Sequence, residues 1–185
     1  MFLDPRDFPF TSALEENAGA IRTEFEALAP GDFMAWPERF LYQDGWDVFG
    51  LWAYGSPMEA NCRRCPRTME VAKSVPGLTT IGFSILRPGA EIVPHKGFTN
   101  HVLRCHLGII VPEDCRIRVG AETRTWEVGR TLVFDDTTEH EAWNRSDSIR
   151  VVLLLDFLRD PDDPAAKQTI AAIADRFRKE FGIDI

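Results

Sequence analysis

Two apolar stretches decide the fold class: VLRCHLGIIVP at residues 102–112 and SIRVVLLLDFL at residues 148–158. Similar but shorter runs recur from residue 78 onward, separated by turn sequences such as Pro88-Gly89. Many short strands without intervening helices indicate an all-β sandwich or barrel, and we expect a mainly β jelly roll. The predicted strands are 79–86, 91–94, 102–112, 115–119, 123–127, 131–134, 141–144 and 148–158.

The flanks of this region have a different pattern. Apolar residues at helical spacing predict a helix over residues 12–28 and another over 163–181, both packed on the outside of a sheet. We therefore expect one domain over 1–185, with a helical and loop-rich segment 1–77, a jelly-roll core 78–158 and a C-terminal helix. The aromatic residues of the first segment either line a substrate channel or belong to the core: Tyr42, Trp46, Trp52 and Tyr54.

Composition excludes some classes of function. The net charge is −8, with 21 basic and 29 acidic residues, which argues against a nucleic acid as main partner. No signal-peptide pattern is visible, and the longest apolar run, Val151 to Leu155, is too short to cross a bilayer. We expect a cytoplasmic protein. Cys62 and Cys65 form a CxxC motif, which we interpret as a loop feature rather than half a zinc site or a redox pair, although its role stays open.

Two arginines lie inside the strand-like runs. Strand alternation places Arg104 and His106 on one face of the 102–112 run. A barrel interior could gather these two residues with Ser84 and Arg150. Such a set could bind a ligand with two separated carboxylates. Arginine forms bidentate hydrogen bonds with a carboxylate, and serine and histidine add directed hydrogen bonds. The alternative for each arginine is an ion pair with an acidic residue of the chain.

The segment from Ser84 to Asp156 resembles the aspartyl/asparaginyl β-hydroxylase family of 2-oxoglutarate oxygenases. The resemblance extends in collinear order over about 70 residues and fades before residue 78. The matching phrases are SILRPG at 84–89, PHKG at 94–97, TN at 99–100, LRCHLG at 103–108, ETRTW at 122–126, FDD at 134–136, EHEAW at 139–143 and RV at 150–151.

The resemblance implies a double-stranded β-helix in which His95 and His140 bind Fe(II). Most of this superfamily has a carboxylate ligand two residues after the first histidine, but this family has a glycine there, as this chain does at Gly97. The implied cofactor is 2-oxoglutarate. Its distal carboxylate would be held by Ser84 and Arg150. Its other carboxylate, beside the keto group, would be oriented by Arg104 and His106. Asp135 and Asp136 would cap a turn or support His140, and His101 is not expected to be a ligand.

The implied activity is a dioxygenase that hydroxylates an aliphatic C–H bond, with O2 and a small-molecule or peptidyl substrate as partners. Hydroxylases acting on aspartyl or asparaginyl side chains have an arginine where this chain has Val102, which weakens the case for an acidic substrate. Amino-acid-like, peptidyl and lipid acyl substrates all stay open. One alternative is a non-catalytic, cupin-like barrel that binds a metabolite. Another is a 2-oxoglutarate-dependent halogenase with chloride beside Gly97. The sequence does not predict the oligomeric state.

Overall fold

Two antiparallel sheets form the centre of the computed structural model, which describes residues 1–182. The larger sheet has the strand order β1-β10-β7-β12-β5-β3-β2, with β4 attached to β3, and the smaller has the order β6-β11-β8-β9. The strands are β1 (Phe2–Leu3), β2 (Met34–Ala35), β3 (Trp46–Ala53), β4 (Ser56–Pro57), β5 (Leu78–Leu86), β6 (Glu91–His95), β7 (Val102–Ile110), β8 (Cys115–Val119), β9 (Glu122–Arg124), β10 (Thr131–Phe134), β11 (His140–Asn144) and β12 (Arg150–Leu158). The α-helices are α1 (Phe10–Glu16), α2 (Ala18–Glu26), α3 (Glu59–Cys62), α4 (Pro66–Ala72) and α5 (Pro164–Phe181).

The central strand β12 shows why its sequence is continuously apolar. It pairs with β5 on one side and β7 on the other, and all nine of its residues are buried. Leu153 and Leu155 pack in the outer core between the large sheet and the N-terminal helices, whereas Val152 and Leu154 face the interior between the two sheets. A strand covered on both faces loses the polar alternation of a half-exposed strand. The expected jelly roll with flanking helices is confirmed.

Two features of the first segment differ from expectation. The helix expected over 12–28 is two helices that meet at Asn17, whose side-chain amide donates to the Ala13 carbonyl oxygen at 2.8 Å. Such a side-chain bond competes with the helical ladder. In addition, β3 extends the large sheet before residue 78 by pairing with β5, with Val48 opposite Ser84. The burial of β3 does not alternate strictly between its two faces, so the sequence pattern of a half-buried strand is absent there.

The C-terminal helix lies where the sequence predicts it. Asp163 caps its first turn by accepting a hydrogen bond from the Ala165 amide at 2.8 Å, and Pro164 occupies the first position, where a missing N–H costs nothing. Across residues 1–182, no helix combines the length and hydrophobicity needed to span a membrane.

Candidate active site

Two histidines face each other in the small sheet. His95 ends β6 and His140 begins β11, and the antiparallel pairing makes them direct cross-strand partners. Their ring centroids are 4.2 Å apart. Side chains directly opposite in adjacent strands project to the same face, so both imidazoles lie on one side of the sheet.

The hydrogen bonds of these rings fix their tautomers. Nδ1 of His95 lies 2.8 Å from the Val93 carbonyl oxygen, and Nδ1 of His140 lies 2.9 Å from that of Thr138. A carbonyl oxygen only accepts, so each Nδ1 carries the proton and each Nε2 presents a lone pair. Nε2 of His140 is buried and has no partner among the described residues. Such an arrangement is typical of metal-binding histidines, whose second nitrogen is held by a carbonyl.

Burial keeps both rings neutral. Desolvation lowers the pKa of His140 to about 3, with smaller contributions from the nearby His95 and Arg104 charges. Burial also lowers the pKa of His95. Metal ions bind neutral imidazole, so at neutral pH no proton has to leave either ring before a cation binds.

Gly97 lies against a buried carboxylate. A Cβ atom at this position would lie 2.1 Å from Oδ2 of Asp136, and the Gly97 amide donates to the Asp136 carbonyl oxygen at 2.8 Å. The Asp136 side chain therefore fills the space into which a side chain at position 97 would project. Asp136 is 2% exposed, its Oδ1 has no partner within the described part of the chain, and burial raises its pKa to about 6.

All six site residues predicted from the sequence line one cavity, which encloses about 360 Å³ of empty space between the two sheets. The six are Ser84, His95, Arg104, His106, His140 and Arg150.

Arg150 is a buried cation that pairs with no carboxylate in the part of the chain that the structure describes. It is 1% exposed, its Nε has no hydrogen-bond partner among residues 1–182, and its guanidinium carbon lies 4.7 Å from the centre of the Trp126 ring. One Nη donates a long hydrogen bond of 3.4 Å to the Ser84 carbonyl oxygen. Burial lowers the pKa of Arg150 to about 10, which leaves it charged at neutral pH. An unpaired buried charge is costly, and a bound anion would offset that cost.

Arg104 has a different environment. Arg104 forms a bidentate salt bridge with Asp156, through Nε at 2.7 Å and one Nη at 2.9 Å. The same Nη lies 3.6 Å from Oδ2 of Asp136. The intramolecular ion pair considered for each arginine is therefore present for Arg104. Because Arg104 also lines the cavity, its predicted contact with a cofactor carboxylate stays a prediction.

Tryptophans orient the remaining polar groups. Nε1 of Trp126 lies 3.2 Å from Nδ1 of His106, and Nε1 of Trp46 donates to Oγ of Ser84 at 3.0 Å. An indole N–H only donates, so Nδ1 of His106 accepts and its Nε2 carries the proton. That Nε2 is buried without a partner in the described region, and burial keeps the pKa of His106 well below its usual range.

The sequence does not predict these contacts. Trp126 belongs to one of the phrases that carry the family resemblance, but strand alternation in β7 gave no indication that its indole meets His106. Trp46, for which the sequence allows a channel or a core position, lines the cavity and also packs in the inner core. Tyr42 is a core residue, whereas Trp52 and Tyr54 line a neighbouring cavity.

His101 and Asp135, which the sequence also suggests for this region, contact other residues than the two histidines. His101 is close to Asp163, with Nδ1 and Oδ2 3.4 Å apart. Asp135 accepts from the amide and hydroxyl of Thr137, at 3.1 and 2.6 Å, so it caps the turn before His140. Within residues 1–182, no group of three or more His, Cys, Asp or Glu side chains is arranged as a metal site. A metal ion bound here would therefore have two protein ligands, His95 and His140.

Comparison with known proteins shows the family to which the sequence is similar. A family model for aspartyl/asparaginyl β-hydroxylase matches residues 15–160. The ornithine lipid ester-linked acyl 2-hydroxylase of Rhizobium tropici is 38% identical over 177 residues, which cover 88% of this chain and 62% of that protein. The aspartyl/asparaginyl β-hydroxylase of Homo sapiens is 35% identical over 181 residues, covering 91% of this chain and 24% of that protein.

The chain thus spans less than two thirds of either relative. Among solved structures, a Pseudomonas putida prolyl-4-hydroxylase is similar at 15% identity and a TM-score of 0.49, over 80% of this chain and 87% of that one. The family match covers most of the sequence, including the strands that carry the histidine pair and both cavity arginines. The chain belongs to the aspartyl/asparaginyl β-hydroxylase family.

Proposed function

We propose that this protein is an Fe(II)- and 2-oxoglutarate-dependent dioxygenase that hydroxylates an aliphatic C–H bond. One observation carries the proposal: a cavity of about 360 Å³ combines two neutral, cross-strand histidines with a buried arginine that has no carboxylate partner in the described chain. The histidines suit a metal ion and the arginine suits an anion. A keto-diacid that chelates the metal would meet both requirements.

His95 and His140 would hold Fe(II) through Nε2, the nitrogen that their carbonyl contacts leave free. When bound, the iron supplies the activation of O2, so that substrate, O2 and 2-oxoglutarate give hydroxylated substrate, succinate and CO2. The chain itself holds the two rings in the metal-binding tautomer. The Asp136 carboxylate beside Gly97 would accept a hydrogen bond from water in the vacant ligand position.

For the cofactor, Arg150 and the Ser84 hydroxyl would bind the distal carboxylate. Trp46 donates to the Ser84 oxygen, which leaves the hydroxyl proton free for that carboxylate. The carboxylate beside the keto group would accept from Nε2–H of His106 and from the Nη of Arg104 that Asp156 does not occupy. Charge-assisted bonds of this kind are stronger than neutral ones and set the orientation of the acid.

The two alternatives fit these observations less well. A non-catalytic barrel that binds a metabolite could use Arg150 for an anion, but it gives no role to Nε2 of His140, which is buried without a partner among residues 1–182. A halogenase would need chloride beside the metal, where the Asp136 carboxylate already lies against Gly97. A second anion there would be repelled whenever Asp136 is ionised.

For the substrate we propose only a broad class: an amino-acid-like, peptidyl or lipid acyl compound. Val102 is 5% exposed and packs with Leu158, Ala166 and Ile170 beneath α5. No cationic group for an acidic substrate therefore stands at that position.

Calorimetric titration of 2-oxoglutarate into the Mn(II)-loaded protein without O2 tests the proposal. We expect one site per chain, and we expect His140→Ala to lose more than tenfold in affinity, because the cofactor's keto group would no longer be anchored by the metal. His101→Ala is the matched control, since His101 contacts Asp163 and lines no part of the cavity. Equal binding by His140→Ala and the unmodified protein would contradict the proposed site.

A further inference from the structure

A second cavity lies beside the one that holds the two histidines. It contains about 650 Å³ of empty space. Trp46, His95 and Arg104 line both cavities, so the two share a wall. Ile170 and Ile173 of helix α5 also line the second cavity. A molecule bound there would therefore lie next to the histidine pair.

Tyr54 lines this second cavity from a strained backbone position. Strands β3 and β4 pair with Ala53 opposite Ser56, so Tyr54 and Gly55 are the two central residues of a tight turn. Their φ angles are 49° and 90°, and Tyr54 is the only non-glycine residue of 1–182 with a positive φ. Turns of this kind favour Asn-Gly, because a left-handed backbone is unfavourable for most residues that carry a Cβ. A tyrosine kept here at a cost in free energy indicates a role for its side chain.

Packing explains the ring of Tyr54 but not its hydroxyl. The ring lies against Phe177 of α5, with centroids 4.7 Å apart, and it packs on the apolar cluster that contains Val102 and Ile170. A phenylalanine would make the same ring contacts. The hydroxyl makes no hydrogen bond within the described part of the chain, although a tyrosine hydroxyl that is shielded from water usually has a partner. It is therefore available to a bound molecule.

The charges around this hydroxyl favour a neutral ligand. Burial raises the pKa of Tyr54, and the charges of Glu38 and Asp156 raise it further, so the phenol stays a donor at neutral pH. Both carboxylates line the second cavity. Glu38 is 6% exposed and forms no salt bridge in the described chain, while Arg104 is already paired with Asp156 and Lys96 is exposed to solvent. An anion would be repelled here, whereas a neutral oxygen atom can accept from the phenol.

We propose that Tyr54 is a substrate-binding residue, whose hydroxyl donates a hydrogen bond to a neutral oxygen atom of the substrate in the cavity beside His95. This assignment rests on the proposed function and adds a contact residue to it. The left-handed turn and the contact with Phe177 fix the position of the hydroxyl. A hydrogen bond from a fixed donor restricts the orientation of a small substrate relative to the metal site.

Fluorine NMR tests the contact directly, because Tyr42 and Tyr54 are the only tyrosines of the chain. Protein labelled with 3-fluorotyrosine gives one ¹⁹F signal for each, and Tyr42→Phe and Tyr54→Phe assign them. Benzyl alcohol, a neutral hydroxyl on an apolar ring, is the probe. It should shift the Tyr54 signal saturably and leave that of Tyr42, whose hydroxyl donates to the Trp36 carbonyl oxygen at 2.6 Å. Benzoate should shift the Tyr54 signal only at much higher concentration, and equal potency of benzoate would contradict a site for a neutral oxygen.

Affinities distinguish the hydrogen bond from packing. In saturation-transfer NMR, Tyr54→Phe should bind benzyl alcohol about fivefold more weakly, as for one neutral hydrogen bond, and should bind toluene, which lacks the hydroxyl, unchanged. Tyr42→Phe is the matched control, since it removes the other tyrosine hydroxyl and should bind both probes as the unmodified protein does. An unshifted Tyr54 signal, unchanged binding of benzyl alcohol by Tyr54→Phe, or equal weakening of both probes would overturn the assignment.

Calorimetric titration of 2-oxoglutarate into the Mn(II)-loaded variants separates this assignment from the proposed function. Tyr54 does not line the cavity of the six site residues, so Tyr54→Phe should bind the cofactor unchanged. Cofactor binding without Tyr54-dependent binding of benzyl alcohol would contradict only the role of Tyr54. Tyr54-dependent binding of benzyl alcohol without cofactor binding would contradict the proposed oxygenase and support Tyr54 as a ligand contact.

Discussion

Trp126 donates its indole N–H to Nδ1 of His106 across 3.2 Å and thereby determines which His106 nitrogen carries the proton. The resulting Nε2–H is buried, lacks a partner in residues 1–182 and belongs to a ring that lines the candidate cofactor cavity. Strand β7 supplies the ring, and the segment after β9 supplies the indole. The hydrogen-bond donor that we propose for the cofactor carboxylate thus depends on a second residue, Trp126.

Removing this donor should weaken cofactor binding without unfolding the protein. Trp126→Phe keeps an aromatic ring beside Arg150 but releases His106 to adopt either tautomer. We expect about a tenfold loss of 2-oxoglutarate affinity, as for one hydrogen bond to a charged group. Titration calorimetry measures the affinity, and ¹⁵N NMR of the imidazole reports the tautomer.

Trp143→Phe is the control, because Trp143 contacts Arg145 and lies outside the cavity. If Trp126→Phe bound 2-oxoglutarate as well as the unmodified protein, the positioning role of Trp126 would be wrong.

The two cavity arginines should respond in opposite ways to the same substitution. Arg150→Met removes an unpaired buried charge, so stability should be unchanged or higher, while 2-oxoglutarate binding should be lost. Arg104→Met leaves Asp156 buried without its partner and should cost about 3–5 kcal/mol of unfolding free energy.

Urea denaturation and cofactor titration of both variants make this comparison. A large destabilisation by Arg150→Met would show that Arg150 has a structural role, and it would remove the main argument for an anion site.

Gly97 should tolerate no side chain while Asp136 is present. A methyl group there would meet the Asp136 carboxylate, so Gly97→Ala should cost about 1–3 kcal/mol through overpacking. Combining it with Asp136→Ala should recover most of that stability. Thermal denaturation of the single and double variants provides the measurement.

Gly31→Ala is a suitable control, since no atom lies within 4 Å of its added Cβ. A Gly97→Ala variant as stable as the Gly31→Ala control would show that Asp136 moves away easily.

Glu15 should link helix α1 to strand β10 in a pH-dependent way. Its carboxylate is partly desolvated, which raises its pKa, but hydrogen bonds from Thr131 and Arg130 outweigh this and leave the pKa lowered. A lowered pKa stabilises the fold above the unfolded-state pKa of about 4.3, and this contribution disappears as the pH falls through the folded-state value.

Glu15→Gln should therefore cost about 1–2 kcal/mol at neutral pH and progressively less below pH about 4. Urea denaturation across this range, with the exposed Glu16→Gln as control, measures the difference. A cost that did not change with pH would mean that packing, not the carboxylate charge, makes the contact.

Features that depend on residues close together in the sequence can be predicted from it, whereas features that depend on contacts between distant residues cannot. The uninterrupted apolar run of β12 indicates a strand buried on both faces, and alternation in β7 places Arg104 and His106 on one face. These are local patterns. The contacts between Trp126 and His106, and between Asp136 and Gly97, join residues 20 or more positions apart, so they depend on the packing of two sheets. Local patterns also do not show whether each arginine pairs with an acidic residue of the chain. Asp156 lies opposite Arg104 only because β12 pairs with β7.

The most direct test of the central claim is the visible absorption of the protein with Fe(II) and 2-oxoglutarate under strict exclusion of O2. We predict a weak metal-to-ligand charge-transfer band that requires both additions, saturates at one equivalent of each and disappears in His95→Ala and His140→Ala, whose parent rings lie 4.2 Å apart. A protein that forms no such band with both components present, or that forms it equally without these histidines, would contradict the account.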